Sequence, residues 1–277
     1  MLARTIRLRV VAVCATALAA LSMAHAPANA QQRNMVIFGD SVISDPNAPQ
    51  WLAGKLGLDP RGSSGVGTWC PQSPTSWGRQ AAAQLGLAAS DYSCTGTVTV
   101  SPGPQLYTQV DRALSDGALN PGTARVINTT GFNDTYNNEG RPDADVRRDF
   151  VNYMIPQVSR IRAAAPNARI QFVGYPKITS GDKVCLFHIA PNVSDWTPFA
   201  QIQRWEDQAQ WMSVDAARAT GTEFLDVKPS TWNNNMCAPD DQRMWAGLVD
   251  FYAGPGNLPI HVNQRGHDHV ARVIANS

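Results

Sequence analysis

The chain has 277 residues and a formal net charge of +1, with 16% charged and 43% hydrophobic residues. A charge density below the roughly 25% of average soluble proteins, with no basic excess, excludes bulk binding to nucleic-acid phosphates, and the apolar fraction excludes wholesale disorder. The length suits one large domain or two small ones. Arg4, Arg7 and Arg9 precede the apolar run Val10 to Ala24, and Ala28-Asn29-Ala30 closes the segment before Gln31. That is the order of a cleaved secretory signal peptide, and the run falls short of the ~20 residues of a membrane span. Residues 1–30 are therefore expected to leave. Of the 23 basic residues, 20 then face 22 acidic ones, a net charge of −2.

Beyond the leader, strands and helices are predicted to alternate. Asn34 to Phe38 reads as a buried strand, Pro46 to Leu56 and Ser76 to Leu87 as helices, and residues 61–68 as a Gly/Ser loop between them. A weak strand is expected near Thr97 to Val100, a helix over Leu106 to Ala118 and a strand over Ala124 to Thr129. Val146, Phe150, Met154, Val158 and Ile161 recur at helical spacing within Asp143 to Ala164, where Pro156 should kink the helix. Strands over Arg169 to Val173 and Glu223 to Val227 flank a helix over Pro198 to Thr220 that Gly221 stops, and Gln264 to Ala275 forms the last helix. The alternation predicts a single domain over residues 31–277, with a mostly parallel sheet covered on both faces. Four cysteines, Cys70, Cys94, Cys185 and Cys237, remain after the leader. Three pairings are open to them, and the sequential one closes the shortest loops. No C-x-x-C or Cys/His cluster suggests a metal.

In a doubly wound sheet, chemistry sits beyond the carboxyl ends of the strands. The first strand runs into Gly39-Asp40-Ser41, which places a serine as nucleophile or as a helix cap. Gly96 in Cys94-Thr95-Gly96 would let a backbone N–H approach a substrate, and Asn133 could aim its amide at a developing oxyanion or form an Asx-turn. His261 stands just before the last helix as a general base. Trp51, Trp69 and Trp77 surround the Gly/Ser loop, either lining a cleft or packing in the core. Residues 137–140 form a polar loop beside the site.

Taken together and in order, FGDS (38–41), CTG (94–96), GFND (131–134) and HVNQRGH (261–267) resemble the SGNH, or GDSL-type, serine esterases and lipases, in particular their secreted actinobacterial branch. ARIQFVGYP (168–176) and EFLDV (223–227) are similar to that branch as well. The resemblance implies a flavodoxin-like three-layer α/β/α fold with a mostly parallel five-stranded sheet and ester hydrolysis without metal or cofactor. It implies Ser41 as nucleophile, His261 as base, and an oxyanion hole from the N–H groups of Ser41 and Gly96 and the amide of Asn133. It also implies the sequential disulfides. Asp40 is expected to shape the turn. The acid that the family carries three residues before its histidine is replaced by Leu258, so a Ser–His dyad held by the Leu258 carbonyl is expected. Asp250 is a weaker third member and His267 a fallback base. The expected partner is a lipid, a small acyl ester or an acylated glycan, and the expected state a monomer without membrane span or nucleic acid. Acyl transfer, glycan deacylation and a non-catalytic binding role are the alternatives; no Ser41-dependent turnover on any acyl length would sink the hydrolase reading.

Overall fold

The structure, a computed structural model, describes residues 33–56, 70–254 and 258–277. The expected leader, the loop 61–68 and Trp69 lie outside the described residues. In chain order the elements are β1 (Asn34–Gly39), α1 (Ser41–Ser44), α2 (Ala48–Lys55), α3 (Trp77–Gln84), β2 (Ala88–Asp91), α4 (Leu106–Ser115), β3 (Thr123–Thr129), α5 (Phe132–Asn137), α6 (Asp143–Ala164) and β4 (Arg169–Val173). Three short strands follow, β5 (Lys183–Val184), β6 (Phe187–His188) and β7 (Thr197–Pro198), then α7 (Ala200–Thr220), β8 (Glu223–Leu225), α8 (Lys228–Thr231), β9 (Val249–Asp250) and α9 (Gln264–Ala275).

The central sheet has five strands in the order β2-β1-β3-β4-β8, and every neighbouring pair is parallel. Strand β1 is buried throughout because both of its faces are covered. Met35 and Ile37 pack with Trp77, Ala81 and Ala82 of α3 and Val270, Ala271 and Ile274 of α9. Val36 and Phe38 pack on the other face with Val110 of α4, Phe150 and Met154 of α6 and Met212 of α7. Each fully buried side chain of this size contributes about 1.5–3 kcal/mol, so the period-2 alternation of β1 fixes which residues meet which layer. Helix α6 runs unbroken through Pro156, which lies on its exposed side. Among the described residues no helix is long and apolar enough to cross a membrane.

Two boundaries differ from expectation for identifiable reasons. Thr97 to Val100 is not a strand: the N–H groups of Thr99, Val100 and Ser101 all go to the Asp134 carboxylate instead of a neighbouring strand. The sheet edge is filled by β2, whose sequence AASD carries no apolar alternation. The predicted helix at Pro198 begins at Ala200, because Thr197–Pro198 pairs with β5. The disulfides are Cys70–Cys94 and Cys185–Cys237. The first pins the chain ahead of α3 to the turn beyond β2. The second ties the segment between β5 and β6 to the segment after α8.

Candidate active site

The parallel sheet brings the carboxyl ends of β1, β2 and β3 to one edge, and the segments leaving them carry Ser41, Gly96 and Asn133. Gly39 makes the first exit possible. A Cβ there would lie 2.2 Å from Ile43 Cγ2 and 2.7 Å from the Thr129 carbonyl oxygen. Asp40 caps α1, accepting from the Val42 N–H, and places Ser41 at the helix's first position. From the far end of the chain, His261 reaches back so that its Nε2 lies 2.8 Å from Ser41 Oγ. Its Nδ1 lies 2.8 Å from the Pro259 carbonyl oxygen. A carbonyl can only accept, so in the neutral ring Nδ1 carries the hydrogen and Nε2 presents its lone pair to the hydroxyl.

The carbonyl that meets the ring is thus that of Pro259, not that of Leu258. Ile260 lies between with φ +54. This left-handed turn curls the carbonyl two residues ahead of His261 onto its own ring. Asp250 is not directed at His261 either. Its carboxylate accepts from Arg243 and from the N–H groups of Gly247 and Tyr252. Burial raises its pKa, but these bonds outweigh it and hold the group below the usual carboxylate range. His267 does not reach Ser41. Its Nδ1 accepts from the Trp77 N–H at 3.1 Å, and its Nε2 faces Asp45 at 3.3 Å. Trp77 itself is core, its ring tilted against that of His267 with centroids 5.2 Å apart.

The three expected donors stand in one hydrogen-bonded frame. Gln109 of α4 accepts from the Gly39 N–H and donates to the Gly39 carbonyl and to Thr97 Oγ1, at 2.8–2.9 Å. The Cys94 N–H donates to the same Gly39 carbonyl. Asn133 spends one amide hydrogen on the Thr97 carbonyl, while its Oδ1 accepts from Tyr136. Among the described residues no protein acceptor takes the second hydrogen of that NH2. Gly96 has φ +79, which only glycine adopts without strain. Among the described residues no backbone partner is found for the N–H of Ser41 or of Gly96.

Burial sets the electrostatics. His261 keeps an accessible edge, yet packing around the ring lowers its pKa. The Pro259 carbonyl and the charge of Asp45 push it back up, and His267 pushes it down. Asp40 is pushed up to about 7, first by burial, against the Tyr175 hydroxyl bond that favours its charged form. That hydroxyl donates to Asp40 Oδ2 at 2.5 Å and accepts from the Phe132 N–H, so β4's exit braces both the serine turn and the start of α5.

A hydroxyl facing an oriented imidazole, with unspent donors alongside, is the equipment of acyl transfer. The profile of the GDSL-like lipase/acylhydrolase family matches residues 37–269. The chain belongs to this family.

It is therefore a carboxylic ester hydrolase. Solved structures agree on the fold. A phospholipase A1 from Streptomyces albidoflavus is 18% identical, with a TM-score of 0.57 over 88% of this chain and 98% of that one. An extracellular lipase from Streptomyces rimosus is 21% identical, with a TM-score of 0.57 over the same 88% and 98%. A carbohydrate acetylesterase from Sinorhizobium meliloti is 15% identical, with a TM-score of 0.53 over 88% and 97%. No curated protein sequence matches the chain. Around the site of this acylhydrolase, the sequence alone did not point to Asp45, Gln109, Tyr175 or Pro259. Tyr175 lies inside the ARIQFVGYP block, the one signal that could have found it.

Proposed function

We propose that the protein is an exported serine ester hydrolase in which Ser41 is the nucleophile and His261 the base. The 2.8 Å approach of His261 Nε2 to Ser41 Oγ carries this reading. As Ser41 Oγ attacks the ester carbonyl, its proton passes to Nε2. The Pro259 carbonyl holds the Nδ1–H and steadies the positive ring that results. Negative charge gathers on the former carbonyl oxygen, where the N–H groups of Ser41 and Gly96 and the free amide hydrogen of Asn133 stabilise it. Each such donor is worth about 2.7–4 kcal/mol in comparable sites. His261 then protonates the leaving alcohol, and water repeats the sequence on the acyl-serine. The dyad needs no metal or organic cofactor. Ser41→Ala should lower turnover of chromogenic acyl esters by about 10³-fold or more. Unchanged turnover would overturn the assignment.

The N-terminal pattern and the two disulfides support export and a chain that begins near Gln31 as one domain. Sequencing the N-terminus of protein recovered from culture medium tests this. Deacylation of a glycan is the second reading. Its support is an open cleft of about 640 Å³ lined by Asn192, Ser194, Trp196, Asn233 and Asp240, which includes neither Ser41 nor His261 but sets an aromatic face among amide and carboxylate groups suited to a sugar. A panel of graded acyl lengths that includes an acetylated glycan distinguishes the two.

A further inference from the structure

Strands β6 and β9 pair in parallel, with Phe187 opposite Val249 and His188 opposite Asp250. Their side chains alternate. His188 and Asp250 turn inward, while Phe187, Ile189, Val249 and Phe251 are exposed, Ile189 at 61% and Phe251 at 72%. The inner side is locked. Asp250 pairs with the fully buried Arg243, His188 Nε2 meets the Cys185 carbonyl at 3.1 Å, and Cys185 is joined to Cys237. These large apolar groups therefore stand in water on a fixed backbone, at a cost that folding does not explain.

The same layer holds the catalytic loop. Leu248 N–H donates to the Leu186 carbonyl at 2.7 Å, Ile260 N–H to the Gly247 carbonyl at 3.0 Å, and Ala246 N–H to the His261 carbonyl at 2.8 Å. Exposed Ile260 thus extends the apolar surface to the residue beside His261. We propose that this face docks the protein onto the uncharged, apolar surface of a lipid aggregate and presents esters there to Ser41. The proposal deepens the hydrolase reading and rests on it for its purpose.

Charge selects the occupant. Residues 184–200 and 244–254 contain no Lys or Arg. Asp195 is turned onto the N–H groups of Leu186 and Phe187, and Asp250 is paired internally. These two segments therefore offer no cation to grip an anionic surface, and the neighbouring carboxylates of Asp195 and Asp240 accept from backbone N–H groups of Leu186 and Asn192. Half-exposed Tyr252 and Trp196 add amphipathic aromatics of the kind that settle at a lipid–water boundary.

The test uses the Ser41→Ala protein, which binds without turnover, with sucrose-loaded phosphatidylcholine vesicles spun down at about 0.1 M and about 1 M salt. Sedimentation with the vesicles at both salts is expected. Adding Phe251→Asp should weaken partition about tenfold or more. On the Ser41 background, Phe251→Asp should leave hydrolysis of a soluble short-chain ester unchanged, which also reports folding. The proposal is overturned by absent sedimentation, by binding that disappears at high salt, by an unaffected Phe251→Asp variant, or by a dimer in sedimentation velocity that Phe251→Asp dissociates. Failure of the wild type to hydrolyse any ester would instead strike the hydrolase reading and leave vesicle partition to be judged separately.

Discussion

At the scale of single residues, the proposed base His261 is set by two groups that carry no family signature. Ile260 is β-branched and held at φ +54, a conformation costing about 1–3 kcal/mol. That strain aims the Pro259 carbonyl at His261 Nδ1. Ile260→Gly relieves the strain but loosens the turn, so kcat should fall several-fold while the melting temperature holds or rises. Parallel losses of kcat and stability would refute the positioning role. Asp45 acts through space. In the proposed mechanism His261 must be neutral to take the Ser41 proton, so activity is expected to fall as pH drops through its pKa. Because burial lowers that pKa, the acid limb of kcat/KM should lie below the ordinary imidazole value of 6.5. Asp45→Asn removes a charge that favours the imidazolium, and the limb should move further toward acid. A shift toward alkali would contradict this account.

At the scale of elements, the long periodic segments were legible in the sequence. Arg169–Val173 and Gln264–Ala275 form over the predicted residues, and Asp143–Ala164 keeps its bounds despite Pro156. What escaped follows from physics. AASD has no alternation to betray β2, and a two-residue strand such as β6 or β9 is too short to carry a period. Thr97 to Val100 has strand-like composition, but a carboxylate 35 residues beyond Thr99 takes its N–H groups. For the candidate site, residue type pointed to Ser41 and His261, which the fold brings within 2.8 Å of each other, and to Gly96 and Asn133 as proposed donors. The acceptor behind the histidine was misplaced by one residue because it depends on a backbone angle that residue type does not reveal. The layer beneath that loop rests on Arg243, which is fully buried and bound to Asp250, Asp240 and the Trp245 carbonyl. Arg243→Ala would leave a buried carboxylate without its partner, and a loss of about 3–5 kcal/mol in denaturant unfolding is expected. A loss under about 1 kcal/mol would mean that the pair is not structural.

At the scale of the whole molecule, the serine turn is tied to global stability through Asp40. In the folded protein its pKa is pushed up to about 7 by burial, against 3.8 for the ordinary side chain. Between those values the folded state holds a proton that the unfolded chain has released, so this contribution favours folding at low pH and is lost as pH rises toward 7. His261 and His269 act oppositely over much of the same window. Both are lowered by burial, so the unfolded chain binds the proton first and stability falls on acidification. A pH scan of the wild type alone would mix the two trends, and the informative quantity is the difference from Asp40→Asn. Asparagine keeps an oxygen to cap Val42 but does not titrate. Relative to wild type, the variant should gain melting temperature steadily from pH 5 to about pH 8. A difference that stays flat across that range would mean that Asp40 is already ionised in the fold. The bond from Tyr175 would then outweigh burial, and the serine would sit beside a permanent negative charge throughout the working range of the enzyme.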